Sequence, residues 1–168
     1  MDDFWSTLMA ALQREFSDIS DVEDAVRIVV RLSVAIILGG LIGVERELQG
    51  KAAGLRTHML VALGSALFVL APTLSGMAVA DLSRVTQGII AGIGFLGAGA
   101  IIKARGVGDV KGLTTAASIW LTAALGVTAG MGREMLALIA TLMALFVLSV
   151  LHRIEARIAK RARMDADD

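Results

Sequence analysis

The chain has no cysteine and no tyrosine, one proline, and two histidines among 168 residues. Without thiols, disulfide frameworks, thiolate metal sites and cysteine nucleophiles are excluded together. His58 and His152 do not cluster with other ligand types, so no zinc or haem site can be argued, and no Ser-His-Asp arrangement is visible. An excess of one charge is also missing: sixteen basic and sixteen acidic side chains sum to zero, which removes the electrostatic footprint of a nucleic-acid partner. No cofactor is expected. The opening "MDDFWS" lacks the basic stretch and early apolar core of a cleaved signal peptide, so the first apolar segment is expected to be retained.

What is abundant is apolar surface, at 56 % of residues with 18 glycines and a mean hydropathy of +0.74, too oily for an ordinary soluble domain. Four runs, Met59–Ala80, Val85–Ile102, Gly112–Gly132 and Met135–Leu151, contain no Asp, Glu, Lys or Arg. At a rise of about 1.5 Å per residue each can cross most or all of a hydrocarbon core of about 30 Å. A fifth run, Leu32–Val44, reaches spanning length by starting near Ile28 and letting Arg31 snorkel outward. The pattern predicts an all-α polytopic membrane protein of five transmembrane helices, because a soluble interior this small has no room to bury five such helices. No carboxylate lies deep in any run, which disfavours a proton-driven carrier.

Residues 1–24 form an amphipathic N-terminal segment, with Phe4, Trp5, Leu8, Met9, Leu12 and Phe16 on one helical face, suited to the membrane surface or to packing on the rest of the chain. Ser20 and Glu23 have the spacing of a capping box that launches the first span. Residues 25–152 form the transmembrane domain and 153–168 a charged tail. Five spans put Arg46, Lys51, Arg56, Lys103, Arg105, Lys111 and the basic tail on one side, eleven Lys and Arg against five on the other. The positive-inside rule then places the N-terminus outside and the C-terminus in the cytoplasm.

Gly92, Gly94 and Gly97 satisfy G-x-G-x-x-G, the fingerprint of dinucleotide-binding turns. That turn needs a strand before it and an opening helix after it, whereas an uncharged run of eighteen residues encloses these glycines. At membrane depth, backbone amides are committed to each other. The glycines therefore read as a smooth helix surface: Gly88 and Gly92 at G-x-x-x-G spacing, Gly94 with Ala98, then Gly97 and Gly99. This third span is expected to be the most enclosed. Gly39, Gly40 and Gly43 repeat the device in the first span, and Gly112, Ala116, Gly126 and Gly130 in the fourth.

Two polar constellations flank the spans. In "GVERELQGKAAGLRTH", Glu45 and Glu47 lie at a helix C-terminus, where the macrodipole opposes a carboxylate, so partners are expected among Arg46, Arg56 and Lys111. The bland reading is an ion-paired collar; the functional one is a docking surface, or a cation mouth with Glu45 and Glu47 as oxygen ligands. Gly54, Arg56 and Thr57 lead into the second span. In "KARGVGDVKGLTTAASIW", Thr114, Thr115 and Ser118 can cap the fourth span or bond a neighbouring helix, capping being the safer assumption.

Four blocks, "LGGLIGVERE" (Leu38–Glu47), "GLRTHMLVALGSALF" (Gly54–Phe68), "GIIAGIGFLGAGAII" (Gly88–Ile102) and "GLTTAASIWLTAALG" (Gly112–Gly126), occur in an order that resembles the MgtC/SapB family of bacterial inner-membrane proteins. The resemblance implies a five-span plasma-membrane protein associated with growth at low magnesium. It also implies a regulator of other membrane machines, the ATP synthase among them, more than a magnesium transporter. The chain is expected to depart from many members in lacking, after the fifth span, their soluble C-terminal domain.

The expected function is non-enzymatic: an inner-membrane protein of magnesium or ion homeostasis, acting through contacts with itself, as a dimer or other homo-oligomer, or with a membrane-protein client. The alternatives are a small oligomeric cation channel or transporter, and a structural module that seeds assembly.

Overall fold

The computed structural model describes residues 2–17, 19, 21–103 and 111–151. The order is α1 (Asp2–Glu15), α2 (Val22–Leu48), α3 (Leu55–Leu74), α4 (Val79–Lys103), α5 (Leu113–Gly130) and α6 (Glu134–Phe146), the last continuing into one π-helical turn, Val147–Leu151. All regular structure among the described residues is helical. The contacts divide the chain after Val30 into two units.

In the first unit the Phe4 and Trp5 rings meet edge to face at 5.7 Å. The start of α2 is capped by Asp21, whose Oδ1 accepts the Glu23 N–H at 3.2 Å. Glu23 turns instead to Arg27, which also holds Asp24, at 2.8 and 2.9 Å. Ser20, the expected cap, lies outside the described residues.

In the second unit each helix reverses the direction of the one before. Backbone contacts set the register. A Cβ built on Gly39 of α2 would stand 2.7 Å from the His58 carbonyl of α3, and one on Gly43 would stand 2.7 Å from Leu55 Cα, so α2 and α3 run antiparallel. A Cβ on Gly130 of α5 would stand 2.6 Å from the Ala66 carbonyl oxygen, and one on Gly126 would overlap that of Ala62. Higher numbers thus meet higher numbers, and α3 and α5 are parallel. A Cβ on Gly97 of α4 would stand 3.5 Å from that of Ala116 of α5, and Thr86 shares a pocket with Val127 and Thr128, an antiparallel pairing. Ala137 of α6 sits in one core layer with Ala35 and Ala129, and Ala144 in another with Ile42 and Leu125, which makes α6 parallel to α2. Short turns permit this alternation. Helices α2, α3 and α5 end in the same way, with Gly50, Gly76 and Gly132 at positive φ and the next residue's N–H bonded five residues back.

One expectation is met in part and another is corrected. Four helices, Val22–Leu48, Leu55–Leu74, Val79–Ile101 and Leu113–Gly130, are long and apolar enough to cross a membrane, not five; the last apolar helix, Glu134–Val150, is shorter. Nor is the third span, α4, the most enclosed. That position belongs to α5, whose face from Thr115 through Ser118, Thr122 and Gly126 to Gly130 is buried against α3, whereas α4 is the most open of the four. A Cβ at Gly88, Gly92, Gly94 or Gly99 would meet nothing within 4 Å.

Arg31 also differs from expectation. It does not extend outward but folds onto the α5–α6 turn, donating to the Gly130 carbonyl at 3.3 Å and approaching Glu134 at 3.9 Å. A cation at the C-terminus of α5 and an anion at the N-terminus of α6 both complement the helix dipoles.

Candidate functional site

The polar side chains that matter gather at the opposite end of the second unit, where α2 ends and α3 and α5 begin. Arg46 lies on the same face of α2 as Gly39 and Gly43, spaced by four and then three residues, and this face looks at α3. It is only 2 % exposed, and its Nε and Nη2 both bond one oxygen of Glu45. The other oxygen, Glu45 Oε1, is buried and has no partner among the described residues.

His58, fully buried in the first turn of α3, is the second component. Its Nδ1 donates to the Gly54 carbonyl at 2.8 Å, and its Nε2 lies 3.1 Å from Ser118 Oγ on α5. The neutral ring therefore accepts at Nε2, with the Ser118 hydroxyl as donor. In a protonated ring Nε2 would donate, and the Ser118 proton would turn to the Thr115 carbonyl, 2.8 Å away. A Cβ on Gly43, three residues before Arg46 on the same face of α2, would stand 3.2 Å from the His58 Cβ, so one polar layer links α2, α3 and α5.

Glu47 sits two positions beyond Glu45, about 200° round the helix. Its Oε2 accepts the Leu55 N–H at 2.8 Å and so caps α3, whose N-cap residue, Gly54, has no side chain to do it. A Cβ at Gly54 would stand 2.7 Å from that oxygen, so the glycine makes room for the carboxylate. Glu45 and Glu47 are thus committed to different partners, and no group of three or more His, Cys, Asp or Glu able to hold a metal occurs among the described residues. Arg56 and Thr57 are exposed.

On α5, Gly112 is the N-cap residue at φ 93°, and no side-chain capping bond forms. Thr114 is exposed and Thr115 buried. The hydroxyl that acts is Ser118, and it bonds a neighbouring helix instead of capping its own. Thr122, one turn further, is fully buried with Oγ1 unpartnered among the described residues, although Thr73, Thr86, Thr128 and Thr141 all bond the carbonyl four residues back. The burial of Arg46 and the His58–Ser118 bond were not anticipated. A signal existed in the three-and-four spacing of Thr115, Ser118 and Thr122 within an uncharged run.

Of the glycines singled out on α4, Gly97 alone contacts another helix, and Gly88, Gly92, Gly94 and Gly99 face open space. Gly88 and Gly92 line an apolar groove of about 650 Å³ with Leu60, Gly64 and Phe68 of α3. The loop at 104–110, the tail from 152 onward, His152 and the basic residues there lie outside the described residues, as do the side chains of Lys103 and Ile102.

Comparison with known proteins agrees with the four sequence blocks. The chain is 47 % identical over 136 residues to the protein SrpB of Synechococcus elongatus, covering 74 % of this chain and 75 % of that one. It is 40 % identical over 140 residues to the putative magnesium transporter YhiD of Escherichia coli, covering 79 % and 64 %. With the protein MgtC of Salmonella typhimurium it shares 42 % identity over 132 residues, covering 77 % of this chain but 54 % of the relative. The chain thus spans between about half and three quarters of the length of these relatives. No solved structure matches. The MgtC family model matches residues 32–157, a stretch that holds all four blocks and the polar layer of Glu45, Arg46, His58 and Ser118, and the chain belongs to the MgtC family.

Proposed function

We propose that this chain is a non-enzymatic inner-membrane protein of magnesium or ion homeostasis that acts by contact with a second copy of itself or with another membrane protein. The names of the related proteins support the magnesium link, one being a putative magnesium transporter. The observation that carries the contact reading is the state of α4. Helix α5 is the most enclosed of the four spanning helices and α4 the most open, with a Cβ at Gly88, Gly92, Gly94 or Gly99 meeting nothing within 4 Å. A small-residue surface facing lipid gains little there, whereas against another helix it allows close backbone approach.

The reading includes five crossings, with α6 and its π-helical turn as the fifth, because α6 continues the alternation of direction. It places the N-terminus outside and the α2–α3 turn, with Lys51 and Arg56, on the cytoplasmic side. Because the chain is free of cysteine, single-cysteine crosslinking in membranes tests the contact surface directly. Phe95→Cys on the open face of α4 should give a disulfide-linked dimer or a defined heteromeric product, and Met143→Cys on α6 should not. Equal crosslinking at both positions, or none at Phe95, would remove the reading.

The competing reading is a small oligomeric cation channel. Its support is the buried, unpartnered Glu45 Oε1; the Arg46 guanidinium on the same carboxylate opposes it. Ion flux through vesicles separates the two.

A further inference from the structure

The apolar groove of about 650 Å³ between α3 and α4 holds one side chain that does not suit it. Ser65, at the middle of α3, lines the groove and is only 4 % exposed. Its hydroxyl bonds no group among the described residues, although those of Thr73, Ser75, Thr86 and Thr128 all return to the carbonyl four residues back. Nor is Ser65 Oγ sealed inside the protein as Thr122 Oγ1 is, so the access it keeps is to the groove.

We infer that the groove receives α4 of a second copy of this chain, whose Gln87 hydrogen-bonds Ser65. The inference rests on the contact reading above and narrows it to self-association. Gln87 stands two residues inside the charge-free run Val85–Ile102, is exposed, and has no hydrogen-bond partner for its amide among the described residues. Its level in the bundle agrees. Ala66 packs beside Gly130 of α5, and Thr86 beside Val127 and Thr128, so Ser65 and Gln87 differ in height by about 4 Å, two to three residues of helical rise. A two-fold axis along the membrane normal, which gives both copies one topology, preserves that height.

Direction agrees as well. Around α4 at about 100° per residue, Gly97 faces α5, Gly88 and Gly92 line the groove, and Gln87 lies with Ala91 and Gly94 on the exposed flank beyond them. Two α4 helices that meet along Gly88 and Gly92, where a Cβ meets nothing within 4 Å, each present that flank to α3 of the other copy. A two-fold contact is self-complementary, so the seam closes with two Gln87–Ser65 bonds. An acyl chain would fill the groove without giving either group a partner, and an unpaired hydroxyl or amide in hydrocarbon is costly.

The test uses the full chain in lipid bilayers, with single-molecule subunit counting reading the monomer–dimer equilibrium of the parent, Gln87→Leu, Ser65→Ala and the double variant. Each single variant should weaken dimerisation about tenfold, as expected for the loss of two interhelical hydrogen bonds, and the double variant should be no weaker than either. Additive losses, or no loss in folded variants, overturn the inference. Should a variant fold poorly, crosslinking decides: copies carrying Gln87→Cys mixed with copies carrying Ser65→Cys should form a mixed disulfide-linked dimer beyond what either forms alone, and absence of that product overturns the inference. If Phe95→Cys crosslinks while these tests fail, contact through α4 stands and the Gln87–Ser65 pairing falls; if Phe95→Cys fails too, both fall.

Discussion

Arg46 is the one Lys or Arg side chain that is buried among the described residues. At 2 % exposure it is held by Glu45, and both ions have left water. Removing one member of such a pair leaves the other uncompensated, a loss of about 3–5 kcal/mol, whereas replacing both by apolar groups of similar size is often neutral. Arg46→Ala should therefore lower the thermal transition of the detergent-solubilised protein sharply, and Glu45→Gln combined with Arg46→Met should recover most of the loss. A transition in Arg46→Ala equal to the parent's would show that the pair is not buried. The sequence makes this pair legible, since a carboxylate at a helix C-terminus needs a cation and Arg46 is adjacent. The partner of Glu47 is not legible in the same way. It is a backbone N–H eight residues on, brought within reach only by the turn through Gly50 and by the absence of a side chain at Gly54.

At the scale of helices, spacing reveals which faces are smooth but not which neighbour each face meets. Gly88 and Gly92 on α4 and Gly126 and Gly130 on α5 have the same four-residue interval, and the sequence gives no reason to prefer one pair as the enclosed one. Tertiary packing decides it: α5 stands against the backbone of α3 at both of its glycines, and α4 lies open at both of its own. Gly126→Ala forces a methyl group into the Ala62 carbonyl and should cost about 1–3 kcal/mol of stability. Gly88→Ala should leave the unfolding transition of the single chain unchanged and weaken only its association. Equal destabilisation by the two, read from unfolding in detergent, would contradict the register of α3 and α5. Gly94→Leu, at another glycine of α4 where an added Cβ meets nothing within 4 Å, should likewise disturb assembly and leave folding intact.

For the molecule as a whole, the charge-free runs make a membrane-embedded helical protein legible, because bilayer thickness imposes a length that few soluble helices reach. They do not reveal backbone form within a run. The last one, Met135–Leu151, is charge-free throughout, yet it divides into a thirteen-residue α-helix and a π-helical turn. Membership of the MgtC family was readable from the blocks at both ends of the α2–α3 turn and along α4 and α5. The central claim is action by contact and not by conduction. Its most direct measurement is flux of magnesium, potassium and protons through liposomes containing the purified protein, under an applied potential, with Glu45→Gln as the companion variant. The account predicts vesicles as tight as protein-free controls for both proteins; a flux present in the parent and abolished in folded Glu45→Gln would contradict it.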